Sequence, residues 1–338
     1  MSDADPLSAL LHALSSCPAV DGDVLFINGI YGPGVDVQST SWHVLQYFKT
    51  EAIRWPDRAI LLQDDGLGAG RYDRVLVLIS KQHDASRRDL AVAARCLRSG
   101  GVLLAAGAND AGGRRIEDDL RALGFSTVSD SRYKSRVVEV RCEGGLHEDV
   151  LQNWISSGGW QPVLQEQFVS RPGLFSWDRI DVGSALLAAH ITADLGGCGA
   201  DFGCGYGFLS AHILNHCPGV SFLYALDVDA RAVEACRRNT AFAGDRINCF
   251  WHDLTTMPPA LPMLDFIVMN PPFHEGSLTH KELGRAFIRT ASSCLRREGR
   301  LLMVANNHLP YEDVLGESFS TVAVTTVAQG YKVIEAIR

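Results

Sequence analysis

Short apolar runs recur along the whole chain, set apart by longer stretches of mixed character. In the first half they fall at Val24–Ile27, Ala59–Leu62, Arg74–Ile79, Gly101–Ala106 and Val137–Val140. In the second half they fall near Ala200–Phe202, Ser221–Leu226, Asn248–Trp251, Asp265–Val268, Arg300–Val304, Ser320–Val327 and Tyr331–Ile337. Runs that are apolar without strict alternation predict strands buried on both faces. The stretches between them, such as Ser86–Leu97, Arg114–Leu123 and Phe208–His216, suit helices. Strands alternating with helices predict an α/β fold with parallel sheets, the second closing on a hairpin around Gln329-Gly330.

The two halves can be laid on one another. Cys96-Leu97-Arg98-Ser99-Gly100-Gly101-Val102-Leu103-Leu104 matches Cys294-Leu295-Arg296-Arg297-Glu298-Gly299-Arg300-Leu301-Leu302, and Tyr133-Lys134 matches Tyr331-Lys332 at the same offset. Tyr72–Val77 aligns with Leu264–Met269 at a smaller offset, so the second half gains residues just after Met269. Two copies of one domain are expected, over residues 1–150 and 151–338. Where the second copy reads Asp201-Phe202-Gly203-Cys204-Gly205-Tyr206-Gly207, the first reads Phe26-Ile27-Asn28-Gly29-Ile30-Tyr31-Gly32. Where the second has Asn270-Pro271-Pro272-Phe273, the first has Leu78-Ile79-Ser80-Lys81. The second copy carries a complete set of polar and glycine positions; the first is degenerate.

Composition narrows the classes. A chain of 338 residues with 46% apolar content has enough for two cores. A net charge of −8 excludes a protein that coats nucleic acid through a general phosphate field, so a nucleic-acid partner must be met by local patches. No apolar run reaches membrane-span length, and Met1-Ser2-Asp3-Ala4-Asp5 carries acids where a signal peptide is basic, which predicts a cytoplasmic protein with no membrane partner. The nine cysteines include no C-x-x-C pair and are odd in number, so neither a metal site nor a disulfide framework is expected. They read as small buried hydrophobes.

The candidate chemistry lies in the second copy. Asp201-x-Gly203-x-Gly205-x-Gly207 follows an apolar strand and precedes the helix Phe208–His216. Glycines permit positive φ and let backbone N–H groups approach a ligand, and the helix start adds favourable polarity. The spacing departs from the dinucleotide fingerprint, and Asp201 would repel a phosphate; it suits a cation such as the ammonium of a methionine-like group. Asp227 ends the next strand, where an acid can take both hydroxyls of a ribose, and Asp229 is placed to cap the helix that follows. Asp253 falls at the following strand end, in reach of an adenine amine. The run Leu264–Val268 leads into Met269-Asn270-Pro271-Pro272-Phe273, where two prolines forbid the strand from continuing. An amide, fixed carbonyls and an aromatic ring at the carboxyl edge of an open sheet suit a planar amine.

Taken in order along the strand ends, these residues resemble a class I S-adenosylmethionine-dependent methyltransferase over residues 165–338. The resemblance implies two tandem Rossmann-like class I methyltransferase domains, the first degenerate and the second with a seven-stranded sheet whose last strand is antiparallel. It implies S-adenosylmethionine as cofactor, held by Asp201, Gly203, Cys204, Gly205, Gly207, Asp227, Asp253 and Asn270. The catalytic set is Asn270, Pro271, Pro272 and Phe273: the Asn270 side-chain oxygen and the Pro271 carbonyl accept the hydrogens of an exocyclic amine, and its lone pair then aims at the methyl group. No general base with a shifted pKa is then required. Phe273 would stack on the base, and His274, Glu275 and Lys281 follow on a loop expected to meet substrate. A base in a helix must be extruded or lie in a loop to reach such a pocket.

Asn-Pro-Pro followed by an aromatic is shared by DNA adenine-N6, cytosine-N4, protein glutamine-N5 and ribosomal RNA guanine-N2 methyltransferases. The wider context, Asn270–Gly276, Arg171-Pro172-Gly173-Leu174-Phe175-Ser176 with Asp181-Val182-Gly183-Ser184, and Val304–Tyr311, resembles the bacterial small-subunit ribosomal RNA guanine-N2 methyltransferases (RsmC type). That resemblance implies methylation of a guanine in 16S ribosomal RNA, with small-subunit ribosomal RNA or the assembled small subunit as partner and a monomeric enzyme. It places Phe175, Asp181 and Ser184 in a segment closing over the cofactor. It gives the first copy a part in positioning RNA, for which Arg114, Arg115, Arg121, Arg132, Lys134, Arg136 and Arg141 supply cations; with Glu117, Asp118 and Asp119 among them, a salt-bridged face is the competing reading. Other amine acceptors remain open: adenine N6 in DNA or RNA, guanine N2 of large-subunit ribosomal RNA, and protein glutamine N5. So does another class, an RNA chaperone or ribosome assembly factor.

Overall fold

The structure, a computed structural model, describes residues 4–18, 22–35, 41–256, 258, 260–271 and 279–338, with side chains left out at Asp65 and at 279–281. The chain forms two compact units, Met1–Gln161 with Arg171–Gly173, and Pro162–Ser170 with Leu174–Arg338.

The first unit holds, in order, α1 (Pro6–Ser15), β1 (Val24–Ile27), β2 (Trp42–Leu45), α2 (Lys49–Ala52), β3 (Ile60–Leu62), β4 (Tyr72–Leu78), α3 (His83–Cys96), β5 (Leu97–Ala108), α4 (Ile116–Ala122), β6 (Thr127–Arg132), β7 (Ser135–Arg141) and α5 (Glu148–Ser157). A two-stranded ribbon, β8 (Gln161–Val163) with β9 (Phe168–Ser170), lies where the chain passes onward. The second unit continues with α6 (Val182–Ala188), β10 (Gly196–Phe202), α7 (Phe208–His216), β11 (Gly219–Asp227), α8 (Ala230–Asn239), β12 (Ile247–Trp251), β13 (Leu264–Met269), α9 (Thr279–Cys294), β14 (Leu295–Asn306), α10 (Glu312–Ser318), β15 (Thr321–Ala328) and β16 (Tyr331–Ile337).

Both sheets have seven strands in one order, β3-β2-β1-β4-β5-β7-β6 and β12-β11-β10-β13-β14-β16-β15. In each, the strand ahead of the edge pairs antiparallel, β7 with β5 and β16 with β14. The apolar runs follow from burial on both sides. Leu25, Ile27, Val75, Val77 and Leu103 enter one core, while Val24, Phe26, Leu76, Leu78 and Leu104 enter another on the opposite face. Ile267, Met269, Leu301 and Met303 are divided from Phe266, Val268, Leu302 and Val304 in the same way.

The duplication holds to the level of irregularities. Pairing slips between Tyr72 and Arg74 against Leu97 and Val102, and identically between Leu264 and Phe266 against Leu295 and Arg300. The ion pair Arg98–Asp73 has its counterpart in Arg296–Asp265 at 2.6 Å. One sequence match is out of register. Tyr133 and Lys134 have φ of 49° and 54° and form the β6–β7 turn, the place taken in the second unit by Gln329 (54°) and Gly330 (84°) and not by Tyr331-Lys332.

The first sheet also has two strands that the apolar runs did not predict, β2 and β6. The first unit reaches beyond residue 150 because Leu151 and Trp154 of α5 are buried in its core. No helix among the described residues is long and apolar enough to cross a membrane.

Candidate active site

The second unit brings four adjacent parallel strands, β12, β11, β10 and β13, to one carboxyl edge, and each ends in a residue singled out from the sequence. After β10 the chain turns through Gly203, Gly205 and Gly207, with φ of 77°, 53° and 90°. Only the first two leave space at the α-carbon. A Cβ on Gly205 would meet nothing within 4 Å and one on Gly203 nothing closer than 3.6 Å, whereas one on Gly207 would stand 2.9 Å from Cys236 Cα. Gly207 is therefore a packing glycine, and Gly203 and Gly205 face open room. The Gly203 and Cys204 N–H groups donate to the Leu226 carbonyl at 2.8 and 3.0 Å, and the Gly205 N–H donates to Asp227 Oδ2 at 2.9 Å.

The acids differ in their surroundings. Asp201 is wholly buried; Ser210 Oγ, on α7, donates to its Oδ2 at 2.6 Å, and Oδ1 has no partner among the described residues. Burial pushes its carboxyl up to about 7, against the Ser210 hydrogen bond and with the neighbouring Asp227 charge. Asp227 accepts from Gly205 on Oδ2 and from the Asp229 N–H on Oδ1 at 2.9 Å, and burial pushes it up to about 6. Asp229 caps α8 as the sequence predicts, accepting from the Arg231 N–H at 2.9 Å. Asp253 is buried; Oδ1 accepts from the Thr255 backbone and hydroxyl at 2.9 and 2.6 Å, and Oδ2 has no partner among the described residues.

At the end of β13, Asn270 Nδ2 donates to Asp181 Oδ2 and to Ser184 Oγ, both at 2.8 Å. A small cavity is lined by Phe175, Asp181, Ser184, Gly203–Tyr206 and Asn270, among others. Phe175, Asp181 and Ser184 thus share one cavity with the glycine turn. Phe175 is 63% exposed, so it is not a core residue. Asp227 and Asp253 do not line this cavity; Asp227 reaches the loop through Gly205. Tyr206 and Ser210 were missed in the sequence. The Tyr206 side chain is buried, its hydroxyl donates to the Arg179 carbonyl at 3.2 Å, and burial with the nearby Asp181 pushes its phenol up to about 12. Pro271 is buried; Pro272, Phe273, His274 and Glu275 lie outside the described residues, as does the side chain of Lys281.

The first unit supplies an internal control. Asn28 (φ 54°) replaces Gly203 and its N–H donates to the Leu45 carbonyl at 2.7 Å, repeating the Gly203–Leu226 bond. Gln46 replaces Asp227: its Oε1 accepts from the Phe48 N–H at 2.9 Å, as Asp227 does from Asp229. There the likeness stops. Gln46 Nε2 and Trp55 Nε1 both donate to the Gly29 carbonyl, at 2.9 and 3.0 Å, so protein groups fill the turn that stays open in the second unit.

Residues 165–335 match the methyltransferase small domain family. A ribosomal RNA small subunit methyltransferase C from Pseudomonas aeruginosa is 32% identical over 302 residues, 89% of either chain. The chain belongs to the ribosomal RNA small subunit methyltransferase C family. A relative of the same name from Acinetobacter baylyi is 28% identical over 86% of this chain and 85% of its own. Among solved structures, the T. thermophilus 16S rRNA N2 G1207 methyltransferase (RsmC), in complex with AdoMet and guanosine, superposes over 99% of this chain and 92% of its own, with a TM-score of 0.82 and 25% identity. The family likeness thus spans both units, including the one with the closed turn.

Proposed function

We infer that the protein transfers a methyl group from S-adenosylmethionine to the exocyclic N2 amine of a guanine in 16S ribosomal RNA. The observation that carries this is Asn270-Pro271 at the end of β13 beside the open Gly203–Gly207 turn, in a chain that matches a small-subunit methyltransferase over 89% of both lengths. The guanine named for the T. thermophilus relative, G1207, is the first position at which to seek the product.

The residues present fit the cofactor. Beside the open space at Gly205, a half-buried Asp227 with lone pairs left on both oxygens and the orphaned oxygens of Asp201 and Asp253 are unmet acceptors at the ends of the adjacent strands β11, β10 and β12. Asp227 would take the ribose hydroxyls, Asp253 the adenine amine, and Gly203–Gly207 would offer backbone to the methionine end, with Phe175 covering it. Asp201 would counter the ammonium charge from behind the turn. The cofactor supplies a methyl group already activated by its sulfonium. The protein's own work is alignment. Asn270 Oδ1 and the Pro271 carbonyl would accept hydrogen bonds from the two amine N–H groups and turn the nitrogen lone pair towards the methyl group; once methylated, the nitrogen would lose one of those protons to water. Pro272 fixes the turn, Phe273 stacks on the guanine, and His274, Glu275 and Lys281 contact the flanking RNA.

The first unit is proposed to position RNA. Arg121 is paired with Glu117 and Asp118, Arg132 with Asp130, and Arg136 with Glu117, which favours a salt-bridged face for those three. Arg114, Arg115 and Lys134 are exposed and make no ion pair among the described residues. With Lys81 they gather at the carboxyl end of β4 and β5, where the Asn109 N–H donates to the Lys134 carbonyl at 3.0 Å and Arg115 Nη2 to the Lys81 carbonyl at 3.5 Å. Action as a monomer is part of the same proposal.

Asn270→Ala tests the reading against an RNA chaperone. The enzyme should still bind cofactor and lose turnover on the order of 10²–10³-fold. Undiminished turnover would refute the assignment of Asn270.

A further inference from the structure

An asparagine amide has two ends of nearly equal size, and rotating it by half a turn exchanges an acceptor for two donors. For a guanine amine the difference is decisive: Oδ1 can accept its N–H, whereas Nδ2 in the same place would set donors against donors. Something must choose. In this protein both Nδ2 hydrogens are occupied, by Asp181 Oδ2 and Ser184 Oγ at 2.8 Å each, and nothing among the described residues donates to Oδ1. A carboxylate oxygen is an acceptor only, so the rotated amide would face Asp181 Oδ2 with its own oxygen. The hydroxyl of Ser184 alone could turn to suit either end; the carboxylate could not.

Asp181 is itself held. It caps α6, its Oδ2 accepting from the Ser184 backbone N–H at 2.8 Å, so one oxygen receives both the helix and the asparagine. Gly183 leaves it room: a Cβ there would lie 3.1 Å from Asp181 Oδ2 and 3.0 Å from the Tyr331 ring. The first unit has Leu78 in place of Asn270 and nothing to orient.

We propose that Asp181 and Ser184 are positioning residues, which set the rotation of the Asn270 amide so that Oδ1 faces the acceptor amine. This rests on the reading of Asn270 given above. It separates Asp181 and Ser184 from the cofactor ligands with which they share the cavity.

Asp181→Ser tests it in the full chain. A serine hydroxyl keeps an oxygen to cap α6 but, while accepting from the Ser184 N–H, can offer Asn270 a donor or an acceptor, so either rotation of the amide is allowed. The expected result is a kcat on ribosomal RNA lowered on the order of 10²-fold, as for other misaligned catalytic groups, with the S-adenosylmethionine Kd and the RNA KM unchanged. Ser184→Ala should lower kcat by roughly 3–10-fold, the worth of one hydrogen bond, and Ser184→Thr should restore it. Wild-type kcat in Asp181→Ser, or a weakened cofactor Kd as its main defect, overturns the proposal. If that variant does not fold, Ser184→Ala decides by the same criterion. Asn270→Ala keeps the two readings apart: full activity there removes the underlying function, whereas an inactive Asn270→Ala beside a fully active Asp181→Ser removes only this inference.

Discussion

The Gly205 backbone N–H donates to Asp227 Oδ2 at 2.9 Å, which ties the turn after β10 to the end of β11. The bond is made between protein groups alone, so the turn already has its shape when a ligand arrives and less ordering is left to binding. It also makes the ionisation of Asp227 part of the site's geometry.

A pH dependence follows. The Asp227 and Asp201 carboxyls stand at about 6 and about 7 in the folded protein, against 3.8 for an ordinary aspartate. Between those values the native state holds protons that the unfolded chain has released, so stability falls as pH rises through the window. Cofactor affinity should run the other way, because hydroxyls donating to Asp227 favour its charged form; binding weakens below about pH 6. Calorimetric titration with S-adenosylmethionine from about pH 5 to 8, beside thermal melts, measures both. Asp227→Asn should weaken binding and flatten its profile; a wild-type profile in that variant would contradict the role given to Asp227.

Gly205→Ala separates the two uses of a glycine. Its φ of 53° and empty surroundings mean that a methyl group meets no protein atom, so the fold should lose only about 1 kcal/mol. The same methyl would stand in the space assigned to the cofactor. Affinity should therefore drop far more than the melting temperature, and an unchanged Kd would show that the cofactor does not pass this face of the turn.

Ser210→Ala should leave the buried Asp201 without its hydroxyl donor, keeping the hydrogen bond from the backbone N–H at position 210. The expected cost is about 1–3 kcal/mol, read as a lowered denaturation midpoint, together with a further rise of the Asp201 carboxyl. Stability equal to wild type would mean that the hydrogen bond to Ser210 is dispensable.

The second sheet was legible from the sequence because its central strands are buried on both faces and their apolar runs record that directly, and because the mostly exposed edge strand β15 is still rich in valine. The first sheet was legible except for β2 and β6. Trp42–Leu45 is short and carries His43, a residue that looks exposed in a sequence but is buried here with its ring against the Tyr72 hydroxyl at 2.9 Å. Thr127–Arg132 is an edge strand with mostly exposed side chains and no apolar run. The glycine turn, the acids and Asn270 could be read because each stands at a strand end with a chemically distinctive residue. Tyr206, Ser210 and Asn239 could not. Their work depends on partners brought close only by folding: Asn239 Nδ2 donates to the Val169 and Tyr206 carbonyls at 2.8 and 2.7 Å, fixing the turn against a strand remote in sequence.

Charge reversal or removal at Lys81, Arg114, Arg115 and Lys134 addresses the first unit. Each phosphate left without its cation should reduce the slope of log affinity against log salt by about 1 and raise the KM for RNA, with cofactor Kd and saturated kcat unaltered. A salt slope equal to wild type would place the RNA elsewhere.

The central claim is tested most directly by the identity of the methylated nucleoside. The protein is incubated with labelled S-adenosylmethionine and, in parallel, naked 16S ribosomal RNA, assembled small subunits, large-subunit RNA, DNA and a glutamine-bearing protein acceptor, and the products are digested and separated. The account predicts label in N2-methylguanosine from 16S ribosomal RNA or small subunits. Label in N6-methyladenosine, in large-subunit RNA or in protein, or none in any acceptor, would contradict it.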